Sequence, residues 1–131
     1  MKIVTWNIAC MPKYINLYGD PQKRINHIII KLIELDPDVM CLQEVFCCKT
    51  RDLLKKEFGK KYNICHSLKT EKKFALNSGL FFATKYKILH DENIIFENSC
   101  GEDSLAEKGF QYIILKKNEQ IFTCVNTHLN A

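Results

Sequence analysis

Three polar residues of this chain stand where apolar strand patterns end. They are Asn7 after Val4-Thr5-Trp6, Glu44 after Val39-Met40-Cys41-Leu42-Gln43, and His128 after Phe122-Thr123-Cys124-Val125 and the polar pair Asn126-Thr127. Together they form a usable chemical set. A glutamate is a hard oxygen ligand suited to Mg²⁺. An asparagine donates to a phosphate oxygen or orients another ligand. A histidine hydrogen-bonds a nonbridging oxygen and stabilises charge in a transition state. Glu44 carries most of this reading, because an acid at the end of a buried apolar run costs free energy unless it meets a cation, a donor or water. Each residue also has a plainer reading: Asn7 as a turn residue, His128 as a partly exposed terminal residue, Glu44 as the ion-pair partner of a lysine such as Lys49. His27, His66 and His90 read as structural.

The elements that must position these residues follow from the pattern. Lys2 to Ile8 reads as a first strand and Val39 to Glu44 as a second, the latter apolar enough to be covered on both faces. Between them Asp20-Pro21 starts a helix, Asp as the cap and Pro in the first turn. Ile25, Ile28, Ile29 and Leu32 share one face of it. Pro37 disfavours helical geometry at Asp36, so the helix ends near Leu35. A second helix is predicted over Thr50 to Phe58, buried through Leu53, Leu54 and Phe58 and ended by Gly59. Strands are then predicted at Tyr62 to His66, Gly79 to Thr84, late in Ile88 to Phe96, Phe110 to Lys116 and Ile121 to His128. A hairpin turn at Asn118-Glu119 joins the last two. The order predicts one mixed α/β (α+β) domain over residues 1–131, with helices packed on a largely antiparallel or mixed sheet.

Composition narrows the setting. The chain has 131 residues, 47% of them hydrophobic, which suffices for one packed core and argues against disorder. No apolar run approaches a membrane span, and Met1-Lys2-Ile3-Val4-Thr5-Trp6 lacks the apolar core and cleavage site of a secretory signal. A soluble, cytoplasmic protein is expected. The seven cysteines form no regular framework, which argues against a disulfide scaffold. Cys47-Cys48 has no Cys or His nearby at metal spacing, so a zinc site is disfavoured. The net charge is +4. Between Lys49 and Lys73 it concentrates in Lys49, Arg51, Lys55, Lys56, Lys60, Lys61, Lys69, Lys72 and Lys73, opposed by Asp52, Glu57 and Glu71. A solvated helix face explains this stretch better than an anionic membrane surface or nucleic acid does.

Thr5-Trp6-Asn7-Ile8, Leu42-Gln43-Glu44-Val45, Asn77-Ser78-Gly79-Leu80, Lys108-Gly109 and Thr127-His128-Leu129 occur in an order that resembles the endonuclease/exonuclease/phosphatase superfamily, the DNase I-like fold. Within it the chain looks most like the neutral sphingomyelinases. Gln43-Glu44-Val45-Phe46, Ser78-Gly79-Leu80-Phe81 before Ala83-Thr84-Lys85-Tyr86, Asp103 with Leu105-Ala106 before Lys108-Gly109, and Thr127-His128-Leu129-Asn130-Ala131 carry that likeness. The resemblance implies an incomplete four-layer sandwich and a Mg²⁺-dependent phosphodiesterase, with Mn²⁺ as an alternative metal. It implies that Glu44 binds the metal, that Asn7 places the metal or the scissile phosphate, and that His128 contacts the phosphate and stabilises its pentacovalent transition state. Ser78-Gly79 and Lys108-Gly109 read as packing and turn positions.

The resemblance also implies an Asp-x-Asn motif and a later Asp-His pair, both expected beyond Ala131. A water nucleophile without a positioned base loses about two to four powers of ten in rate, so the chain is expected to be inactive alone. By the same analogy it supplies half of the fold. Residues from Gly79 to Ala83 or Ile121 to Val125 are expected to show an uncovered apolar face on the inner side of the sheet, to be met by a C-terminal half or a partner. The substrate implied is a sphingomyelin-like lipid. A nuclease or inositol-phosphate phosphatase of the same superfamily and a noncatalytic binding module are the alternatives.

Overall fold

The computed structural model describes residues 1–11, 21–66, 76–97 and 106–129. The elements run β1 (Ile3–Cys10), α1 (Pro21–Leu35), β2 (Val39–Val45), α2 (Cys48–Phe58), β3 (Asn63–His66), β4 (Phe81–Thr84), β5 (Lys87–Ile95), β6 (Gly109–Lys117) and β7 (Gln120–His128). The predicted cap Asp20, the lysines Lys69, Lys72 and Lys73, and Cys100, Asp103, Leu105, Asn130 and Ala131 lie outside the described residues.

Two sheets form. In the first the order is β1-β2-β4-β3. β1 and β2 are parallel, with Ile3 opposite Val39 and Asn7 opposite Gln43. β4 is antiparallel to both β2 and β3. The second sheet is the antiparallel meander β5-β6-β7. Its last hairpin turns at Asn118, which takes a left-handed φ of 54°, so the predicted turn is where the structure has it.

Alternation along the strands divides the core. Phe81, Ala83, Met40 and Leu42 meet Ile25, Ile28, Ile29 and Leu32 of α1 and Leu54 and Phe58 of α2. Val39, Cys41 and Phe82 face the other way and meet Ile113 and Leu115 of β6. The result is one helical layer and two sheet layers. Each buried phenylalanine or leucine contributes about 1.5–3 kcal/mol.

This arrangement corrects one expectation. Gly79 to Ala83 present no uncovered face, because the helices take Phe81 and Ala83 while the second sheet takes Phe82. The exposed apolar residues are on β7, where Ile121 is 65% and Val125 is 58% exposed. They alternate with Cys124, which packs between the sheets. They therefore lie on the outer face of the second sheet, not the inner one. Gly59 also differs from expectation. It ends α2 in a right-handed conformation (φ −63°), and a Cβ there would sit 2.5 Å from the Lys55 carbonyl oxygen. Close approach, rather than positive φ, is what requires glycine.

The end of β2 away from Glu44 is tied by Asp36. Its own φ of 42° stops α1, with its N–H donating to Leu32 O at 3.1 Å. Its carboxylate accepts from Lys61 Nζ at 2.7 Å and lies 2.9 Å from Lys85 Nζ. The Tyr62 hydroxyl donates to Pro37 O at 2.9 Å beside it. Burial first, and then Asp36, push that phenol up to about 12. Lys61 and Lys85 hold the Asp36 carboxyl well below the usual carboxylate range. A depressed carboxyl stabilises the fold fully above its unfolded pKa of 3.8 and loses that contribution as pH falls toward the folded value. Asp36→Asn is therefore expected to be less stable than the parent at pH 7 in urea titrations, with the gap closing below about pH 4. A gap that stays constant down to pH 2 would refute this tie.

Candidate metal and phosphate site

The site is built on an irregularity where β1 and β2 end. The register runs evenly to Asn7 opposite Gln43 and resumes at Cys10 opposite Val45. Ile8 and Ala9 thus stand against the single residue Glu44, a β-bulge. Ala9 (φ 46°) and Glu44 (φ 58°) both take left-handed conformations, which cost about 1–2 kcal/mol each in a residue with a Cβ. Local hydrogen bonds offset that cost. Asn7 Oδ1 accepts from the Ala9 N–H at 3.0 Å, and Arg24 of α1 donates to the carbonyls of Ile8 and Ala9. Beyond the bulge the Val45 N–H donates to Gly79 O at 2.8 Å. Gly79 itself is left-handed (φ 66°) beneath the Phe46 ring, where a Cβ would lie 2.7 Å from a ring carbon.

The bulge brings Asn7 and Glu44 together. Asn7 Nδ2 donates to Glu44 Oε1 at 2.8 Å. On the second sheet, His128 Nε2 lies 3.5 Å from the same oxygen. The structure therefore gathers all three residues singled out in the sequence. The plainer readings fare differently. Glu44 meets Asn7 and His128 while Lys49 stays exposed, and Asn7 does serve as a turn residue in addition to holding Glu44. His27 lies on the exposed side of α1, and His90 pairs with Glu92 and Tyr112 on an exposed strand.

A fourth residue escaped the sequence reading. Lys108 is buried, and its Nζ lies 3.0 Å from His128 Nδ1 and 3.4 Å from Nε2. An ammonium has only donors, so Lys108 brings a donor and a positive charge against the His128 ring from the second sheet, not from the sheet of Asn7 and Glu44. The signal for Lys108 lies in the hairpin register. Counting outward from the Asn118-Glu119 turn puts Gly109 opposite His128, with Lys108 next in line. Gly109 admits no side chain, since a Cβ would lie 2.0 Å from Ile94 O.

The donor set fits one kind of metal. Among the described residues no three of His, Cys, Asp and Glu gather into a cage, so a zinc or calcium centre has too few ligands. One carboxylate supported by a carboxamide suits Mg²⁺, which keeps several of its waters. An ammonium and an imidazole alongside suit an anionic oxygen. The nearby Cys10 thiol is pushed up by burial above all, which makes it a poor metal ligand.

No protein-family model matches the chain. Sphingomyelin phosphodiesterase 5 of Danio rerio is 33% identical over 110 residues, covering 72% of this chain and 20% of that protein. A mutant beta toxin from Staphylococcus aureus, solved with bound magnesium ions, superposes with a TM-score of 0.88 at 22% identity, over 99% of this chain and 49% of that one. D. rerio TDP2 complexed with a single-strand DNA product superposes with a TM-score of 0.76 at 17% identity, over 100% of this chain and 46% of that one. The chain thus spans a fifth of the curated relative and about half of each structure. Among the described residues no helix is long and apolar enough to cross a membrane.

The left-handed backbone at Glu44 separates two variants that both lack the carboxylate. Glu44→Gly is expected to be more stable than Glu44→Ala by about 1 kcal/mol, because only glycine adopts that φ without a Cβ penalty. Parallel urea melts measure the difference. Equal stabilities would mean that Glu44 is not held in this conformation.

Proposed function

We propose, for a chain that is a relative of the sphingomyelinases on a DNase I-like fold, that residues 1–131 are a single partial domain carrying one half of a Mg²⁺-dependent phosphodiesterase site. The observation that carries this reading is the Glu44 carboxylate held between Asn7 and His128 where the two sheets meet. Glu44 holds the metal, with Mn²⁺ as a substitute, and Asn7 orients the carboxylate. When bound, the ion supplies Lewis acidity to a phosphoryl oxygen. The His128 ring and the Lys108 ammonium bind a nonbridging oxygen and stabilise the charge that grows on it.

The substrate class is a sphingomyelin-type phosphodiester, on the strength of the relatives' sequence likeness. The exposed Ile121 and Val125, with β1 and β7 as end strands of their sheets, support a second half-domain or partner as the missing cover. The six free cysteines among the described residues support a reducing, cytoplasmic setting.

Calorimetric titration with Mn²⁺ tests the site. The parent chain is expected to bind one ion, Asn7→Ala to bind it about 10–100-fold more weakly as the loss of a ligand's supporting partner, and Glu44→Gln to lose it. Equal affinities in all three would remove the metal from Glu44. With a complementary half-domain supplied, Mg²⁺-dependent cleavage of sphingomyelin vesicles but not of DNA is expected. Cleavage of DNA alone would overturn the lipid assignment.

A further inference from the structure

The four site residues sit on two different sheets. Asn7 and Glu44 belong to the first, while His128 ends β7 of the second and Lys108 immediately precedes β6. The apolar layer between them (Val39, Cys41, Phe82, Ile113 and Leu115) excludes water but has no directional preference. It cannot by itself set one side chain against another to within a hydrogen bond. A directional link is present in Asn126. Its side chain is on the same face of β7 as His128, and the residue is 2% exposed. Its Nδ2 donates across the layer to Leu42 O at 3.0 Å and to Phe81 O at 3.4 Å. Its Oδ1 accepts from Gln43 Nε2 at 2.6 Å. Gln43 is the residue before Glu44, and it also donates to Thr5 Oγ1 of β1 at 3.1 Å.

We propose that Asn126 is a positioning residue: through Leu42, Phe81 and Gln43 it docks β7 on β2 in one register and so sets His128 against Glu44. The functional weight of that contact rests on the metal-site reading above; the docking itself rests on the hydrogen bonds. The molecule supplies a matched control. Gln111 stands opposite Asn126 on β6 and is 0% exposed, yet neither atom of its carboxamide has a hydrogen-bond partner among the described residues. It shares the burial, the layer and the functional group, but not the bonds to β2.

The test compares Asn126→Leu with Gln111→Leu in the full chain. It reads the NMR Overhauser contacts between the His128 ring and the Glu44 side chain, and the Mn²⁺ dissociation constant. Asn126→Leu is expected to lose the contacts and weaken Mn²⁺ binding about tenfold or more, whereas Gln111→Leu keeps both. Retention of the contacts in folded Asn126→Leu would overturn the proposal and leave the residue a purely structural role. If Asn126→Leu does not fold, Gln43→Leu removes the 2.6 Å bond to Asn126 together with the Gln43 bonds to Thr5 Oγ1 and Cys41 O, and Thr5→Ala serves as the control for the Thr5 bond. Contacts weakened in Gln43→Leu beyond the Thr5→Ala level support the proposal, and contacts no weaker than in Thr5→Ala overturn it. A parent chain that binds no Mn²⁺ would end the metal reading, while the ring contacts would still decide the positioning role.

Discussion

The structure depends on a mismatch of one residue. Two residues of β1 stand against one of β2, and that extra residue releases carbonyls, forces two non-glycine residues left-handed and turns Glu44 out of the strand's alternation. Regular pairing to the strand ends would have continued the period of two and sent this carboxylate elsewhere. Arg24 supports the distortion from the helical layer, and the Gly79 carbonyl supports it from the β4 approach. Strain of this kind persists only where the surroundings over-determine it, and here three layers of the chain's own backbone and side chains do so.

Polar groups in the layer between the sheets are the second organising element. Buried carboxamides are costly unless bonded, and the two whose bonds are accounted for, Gln43 and Asn126, each neighbour a site residue within two positions. Cys41 and Cys65 share the layer. Burial above all pushes their thiols up to about 12 and about 11, so they remain protonated and behave as small hydrophobes.

Much of this was legible from residue types. Asn7, Glu44 and His128 stood out because polar residues closing apolar runs need a reason, and strand ends are where such reasons collect. The helix faces, the stop before Pro37 and the Asn118 turn followed from period and backbone chemistry. What escaped depends on pairing between distant segments. The division of the core by β4 requires knowing that a second sheet lies on its far side. Lys108 reads as a turn residue until β6 is laid against β7. Nothing local to Val125-Asn126-Thr127 says that the asparagine faces inward to a carbonyl of β2. The uncovered face was assigned to the wrong side for the same reason: strand patterning gives alternation but not which side meets the neighbouring sheet.

The placement of β4 has a consequence for how this sequence can drift. Phe81 and Ala83 belong to one core and Phe82 to the other, so the strand is a shared wall with no face left to solvent. A volume change at any of these positions is transmitted to a different set of neighbours from a change one residue away, and no single compensating substitution serves both. Variation in this lineage should therefore concentrate on β5, where side chains answer to water, and β4 should change only in concert with partners on the side each residue faces.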